Sequence, residues 1–254
     1  MILLGRALFG VCLLSAWLFD LRTTLAAHDF PFSDGSFFLK IRRDARALLS
    51  LVFTVVFSSA TILFVLRLHQ AAAGACVFAL LAAIRQLQLK AWPERPGFHG
   101  PAAASLAAYL LAFLATAGSA APYREACGWE AAAGVIAAAY SLAGLSKVKG
   151  SGTAWMKGGN LGLLIAERAH GAPAAVEALR LYVAGAPRLC RALAGFALLV
   201  QVGAFLFVLR GARAPLTVAL TLFHLVGTPL LLGYLEFEWM LIAVAVTLGS
   251  AASF

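Results

Sequence analysis

One lysine and two histidines set in apolar surroundings are the side chains of this chain best placed for chemistry. Lys147 closes the run Tyr140-Ser-Leu-Ala-Gly-Leu-Ser-Lys147, and Trp155 and Gly158 follow it. The apolar segments otherwise read as free of charge, so this amine stands out. An ammonium near hydrocarbon is costly, and it needs a partner, a water-filled cavity or a route to the interface. A lysine at a helix end can snorkel to the headgroups. Held poorly hydrated, the same amine can act as a general base near neutral pH. No carboxylate lies close to it in sequence.

His224 sits inside the apolar stretch Thr217–Leu235, in Leu-Phe-His-Leu-Val-Gly-Thr-Pro. It reads either as a helix-to-helix hydrogen-bonding residue or as a catalytic one. His99 precedes another apolar segment, in Gly97-Phe-His-Gly-Pro101, and reads either as an ordinary loop residue or as a proton carrier. An unperturbed imidazole titrates near pH 6.5, at about neutrality, so two histidines and a lysine suit proton transfer. They do not suit a metal: lysine is a poor ligand and no carboxylate pairs with the histidines. Glu236 and Glu238 are two apart, a spacing that does not share a helix face, and read as a solvated turn. Cys12, Cys76, Cys127 and Cys190 form no C-x-x-C pair and read as small apolar residues. The chain has no P-loop, no dinucleotide fingerprint, no H-E-x-x-H and no G-x-S-x-G.

Helices in a bilayer must position these groups. The 254 residues are 62% hydrophobic and 12% charged, against about 25% charged in a soluble domain. The sequence therefore predicts an all-α, polytopic transmembrane helical bundle of about seven or eight spans, at roughly 20 residues each. Residues 1–254 read as a single integral membrane domain. Apolar segments fall at Ile2–Phe19, Ala47–Leu66, Ala71–Leu89, Pro101–Ala121, Ala131–Leu145, Ala192–Leu209, Pro215–Leu235 and Trp239–Phe254. Arg85 interrupts the third, which dips or spans, and only Glu236-Phe-Glu238 separates the last two. After the fifth span, Leu161–Arg168 and Ala174–Leu181 read as short interfacial helices. Arg6, the apolar run to Phe19 and Thr24-Leu-Ala-Ala27 resemble a leader peptide, but a first span is the simpler account.

Fifteen of the twenty Lys and Arg fall in three connections: after the first span, around Arg85–Gly100, and from Lys147 to Arg191. The positive-inside rule places these in the cytoplasm. The net charge of +9 is thereby explained without nucleic acid, and no stacked-aromatic and basic pattern is present. Trp92, Trp129 and Trp155 at segment ends read as interfacial anchors. Gly134 through Gly144 permits close helix packing.

Four blocks of residues give the chain a resemblance. They are Phe19-Asp-Leu-Arg22 with Phe32-Ser-Asp-Gly35; Phe98-His99-Gly with Tyr109-Leu-Leu-Ala-Phe113; Tyr140 through Lys147 with Trp155 and Gly158; and Phe223-His224-Leu with Phe237-Glu-Trp-Met-Leu241. In order and spacing the chain resembles the horizontally transferred transmembrane (HTTM) domain family, the membrane half of vitamin K-dependent gamma-carboxylase. In the carboxylase the lysine of the third block deprotonates a reduced vitamin K-like quinone, and the histidine of the second block assists. The resemblance implies Lys147 and His99 as the catalytic pair and His224 lining the cavity. It implies Tyr140, Gly144 and Trp155 around a quinol or lipid-like substrate, with no metal.

Three departures limit the carry-over: the chain ends at Phe254 without the carboxylase's extramembrane domain, the spacer from Lys147 to Trp155 is longer, and no acidic residue follows Lys147 closely. The orientation above also puts Lys147 on the cytoplasmic face, whereas the carboxylase works on the lumenal one. The expectation is a bacterial inner-membrane enzyme in contact with membrane lipid, oxidising a quinol or helping to modify a small secreted peptide. The alternative is a non-enzymatic membrane protein serving the maturation, export or immunity of such a peptide.

Overall fold

The computed structural model describes residues 2–26, 55–56, 58–73, 100–233 and 237–251. Among these residues there is no strand. Helix α1 spans Ile2–Ala26. Residues 58–65 form α2, a tight turn with Arg67 at φ 65 follows, and α3 begins at 69–73. Then come α4 (Gly100–Ala115), α5 (Ala121–Ser151), a 3₁₀ turn over Gly152–Lys157, α6 (Gly159–Glu167) and α7 (Ala174–Ala184). The chain continues as α8 (Pro187–Gly203), a 3₁₀ stretch over Ala204–Val208, α9 (Arg210–Leu222), a π-helix over Phe223–Leu232, and α10 (Phe237–Ala251).

Three helical stretches are long and apolar enough to cross a membrane: Ala121–Gly150, Pro187–Val208 and Arg210–Leu232. Shorter apolar helices run over Leu3–Ser15, Ala104–Ala115 and Trp239–Ala251. The fifth segment expected from sequence is longer than Ala131–Leu145, so Lys147 lies inside α5 rather than beyond its end. The two short helices expected after it are present as α6 and α7. His99, Trp92, Cys76, Arg85 and Glu236 lie outside the described residues, as do the side chains of Asp20, Arg22 and Glu238.

The chain divides into two compact units, Met1–Val135 with Leu248–Phe254, and Ile136–Thr247. In the first, Phe9 and Leu13 of α1, Phe64 of α2, Leu106, Tyr109, Leu110 and Phe113 of α4, and Trp129 of α5 are buried. The α4 positions recur at i, i+3, i+4 and i+7, the stripe one helix face presents to its neighbours. Phe9, Phe64, Tyr109 and Trp129 meet edge-on or tilted at 4.9–6.5 Å between ring centroids. Trp129, expected as an interfacial anchor, is instead fully buried here. In the second unit a core of Leu161, Ile165, Val183, Cys190 and Ala194 joins α6, α7 and α8, with Trp155, Leu231 and Leu232 packed against it. The Cys190 thiol donates to Val183 O at 3.0 Å, so this cysteine is a buried structural residue, as is Cys12.

The outer faces are apolar as well. Leu3, Leu4, Val11 and Leu18 of α1, Leu142 and Leu145 of α5, Leu199 of α8, Val218 and Leu222 of α9 and Leu225 of the π-helix are exposed. Helices that are apolar all round belong in a hydrocarbon environment or a large core.

Candidate functional site

Tyr140, Gly144 and Lys147 stand at i, i+4 and i+7 on α5, a spacing that puts them on one face of the helix. Tyr140 is buried, and its Oη shares a 2.5 Å hydrogen bond with His224 Nε2. The Trp239 ring packs edge-on against Tyr140 at 4.8 Å, and Phe223 packs perpendicular to the imidazole at 5.0 Å. His224 is therefore a buried helix-to-helix partner of Tyr140, enclosed by aromatic rings.

The backbone beneath His224 is unusual for a clear reason. Pro229 has no N–H, so the π-helical ladder lacks the donor that His224 O would receive from five residues on. Thr228 Oγ1 supplies one instead, donating to His224 O at 3.0 Å. π-helical segments recur where a functional side chain must be re-aimed.

Gly144 packs rather than lines. A Cβ there would lie 2.8 Å from Val202 Cγ2 and 2.9 Å from Val202 N, so the glycine lets α5 and α8 approach closely. One turn on, the half-buried Lys147 carries its Nζ 5.7 Å from the centroid of the Trp155 ring. A ring face attracts an ammonium by about 0.5–2 kcal/mol, more as water is excluded. Trp155 is held by its contact with the Leu161–Cys190 core. Gly158 then turns the chain at φ 78, and a Cβ on it would lie 2.5 Å from Arg191 N. That atom is backbone and cannot swing away. Gly158→Ala is expected to destabilise the protein by about 2–4 kcal/mol, from left-handed strain plus overpacking. A lowered unfolding midpoint in detergent checks it, and a midpoint equal to wild type would contradict it.

The structure thus joins Tyr140 to His224 and Lys147 to Trp155, two turns apart and about 10 Å along α5. His99 lies outside the described residues.

Sequence reasoning missed a second polar centre, in the first unit. Arg6 lies inside the first apolar segment, and its guanidinium is fully buried. It forms an ion pair with Glu125 at the start of α5. Its Nη2 also donates to Tyr109 Oη at 2.9 Å and contacts His69 Nε2 at 3.2 Å, and its Nη1 donates to Phe64 O at 3.2 Å. The Tyr109 hydroxyl donates to the other Glu125 oxygen. The Phe64 and Tyr109 rings lie 5.2 and 5.7 Å from the guanidinium carbon. Nearby, Arg124 stacks over Phe113 at 4.1 Å and donates to its carbonyl. The expectation that the apolar segments hold no charge other than Lys147 is corrected here. Arg6 is tolerated because a carboxylate, a phenol, an imidazole and a carbonyl meet it. An arginine inside an apolar stretch was the signal available in the sequence.

His69 opens α3, directly after the turn that follows α2 and ahead of the apolar segment expected from Ala71. Burial first, and then the neighbouring Arg6 charge, push its pKa down to about 4. The folded protein thus binds this proton less readily than the unfolded chain. The stability this confers is complete above the ordinary pKa of 6.5 and declines as the pH falls towards about 4. His69→Gln keeps an acceptor for Arg6 and cannot titrate. Its unfolding midpoint is expected to fall less than that of wild type between pH 6.5 and 4. Parallel pH profiles for the two proteins would contradict the assignment.

Comparison of the chain with family models, with curated proteins and with solved structures returns no match.

Proposed function

We propose that the chain is a bacterial inner-membrane protein of seven or eight spans, of the HTTM type, and that its second unit uses Lys147 as a general base on a quinol or lipid-like substrate. The observation that carries the reading is the Lys147 ammonium over the Trp155 ring, on the α5 face that also holds the Tyr140–His224 pair. A neutral amine that takes a proton in apolar surroundings creates a charge needing a receiver, and the Trp155 face is one. Tyr140 and His224 offer a donor and acceptor pair within an aromatic setting, which suits a phenolic headgroup.

The donor set fits a reduced quinone of the vitamin K class. Lys147 would take the phenolic proton, and Trp155 and Trp239 would supply aromatic walls. When bound, such a group supplies an acidic phenol and two reducing equivalents. His99 would assist, as the family resemblance implies.

The test uses the purified chain in nanodiscs with reduced menaquinone or vitamin K hydroquinone, with oxygen as the oxidant and quinone absorbance as readout. Turnover by wild type that disappears in Lys147→Met supports the base assignment. Equal turnover in both overturns it. A second reading is a non-catalytic helper for a secreted peptide, favoured by the exposed Leu163 of α6 and Leu179, Leu181 and Tyr182 of α7. That reading predicts no quinol turnover and undiminished peptide output with Lys147→Met in cells.

A further inference from the structure

The π-helix that carries His224 ends on an arginine from another element. Arg180 of α7 is buried, with 6% of its surface exposed. Its Nε donates to Leu230 O at 2.8 Å, its Nη2 to Pro229 O at 3.0 Å and its Nη1 to Arg168 O at 2.5 Å. The last carbonyls of a helix have no partner within it, and they carry the negative end of its dipole. A guanidinium answers both needs with several donors in one rigid plane. Gly233 closes the same end at φ 78, and its N–H donates to Pro229 O at 3.2 Å.

The stretch so held lacks part of its own ladder. Pro229 removes a backbone donor in its middle, and Thr228 repairs the loss at His224 O. Its wider helical turn sets where the His224 ring points. Arg180 on α7 thus bonds the closing carbonyls of the segment that carries His224 to Tyr140.

We propose that Arg180 is a positioning residue for the Tyr140–His224 pair, acting by clamping the carbonyls of Pro229 and Leu230 so that the π-helical turn persists. The functional half of this inference rests on the reading of the second unit as a quinol site. The structural half does not.

The experiment is nuclear magnetic resonance of the full chain in nanodiscs with ring-¹⁵N histidine. His224→Gln identifies the His224 signal, and Tyr140→Phe defines its position without the phenol hydrogen bond. Arg180→Gln is expected to move the His224 signal at least half-way to the Tyr140→Phe position, while His69, in the other unit, stays at its wild-type shift. Arg180→Lys, which keeps a donor and the charge, is expected to restore most of the difference. If the His224 signal stays at the wild-type position in Arg180→Gln, the proposal is overturned. If Arg180→Gln displaces His69 equally, or Arg180→Lys rescues nothing, Arg180 holds the fold in general and the proposal is again overturned. In the turnover assay, Arg180→Gln is expected to lower kcat several-fold with KM unchanged, and Arg180→Lys to recover most of the loss. Absence of quinol turnover in wild type would defeat the proposed function alone, because the resonance result stands without it.

Discussion

Replacing Arg6 with methionine is expected to cost about 3–5 kcal/mol of stability, the range for breaking one side of a buried ion pair. The loss comes from what remains. Glu125 keeps the Tyr109 hydroxyl but loses its counter-charge among buried aromatic rings, and His69 and Phe64 O lose their donor. Replacing both partners leaves no stranded charge, so Arg6→Met with Glu125→Met is expected to recover most of the loss. The check is a double-mutant cycle on unfolding in mixed micelles. Additive effects, or an Arg6→Met protein within about 1 kcal/mol of wild type, would show that the cluster is not a coupled unit. Tyr109→Phe removes the hydroxyl that accepts from Arg6 and donates to Glu125, two hydrogen bonds but no charge, and should cost about 2–3 kcal/mol, less than Arg6→Met.

Lys147→Met is expected to lower quinol turnover by about 10²–10⁴-fold, the usual contribution of a positioned general base. The informative companion is Lys147→Arg. A guanidinium can snorkel, anchor a helix end and lie on Trp155 as well as an ammonium can, but it does not give up its proton. Turnover that falls equally in both variants identifies proton abstraction as the role of Lys147. Turnover preserved by arginine identifies an anchoring charge and defeats the base assignment. Trp155→Leu removes only the ring that faces Nζ, worth about 0.5–2 kcal/mol, and should cost a few-fold to about 30-fold.

The second unit was legible because its pattern is local. Tyr140, Gly144 and Lys147 fall on one helical face by spacing alone, and Trp155 and Gly158 follow within a turn or two of chain. The start of α7 at Ala174 and that of α10 at Phe237 fall within two residues of the sequence reading, whereas α7 runs three residues past Leu181 to Ala184. His224 was legible as a buried hydrogen-bonding residue, but its partner was not, since Tyr140 lies 84 residues away. The π-helix was hidden as well: Thr228-Pro229 reads as a kink signal without showing how the ladder is repaired.

The first unit was illegible for the same reason on a larger scale. Arg6, His69, Tyr109 and Glu125 come from four separate stretches, and no spacing rule links them. Arg6 read as the basic part of a leader-like start, and Trp129 as an anchor at the end of the fifth span. Both are core residues because other helices cover them.

The Arg6–Glu125 pair has a consequence for how the chain is made. Its two members are 119 residues apart, so at about 5–20 residues per second the ribosome adds the carboxylate roughly 6–24 s after the guanidinium. During that interval the nascent first helix carries, about one turn from its start, an arginine without the carboxylate that balances it. So close to a helix end, its long side chain can keep the guanidinium in water or at the headgroups until α5 arrives to enclose it. Chains released before residue 125 lack the counter-charge altogether.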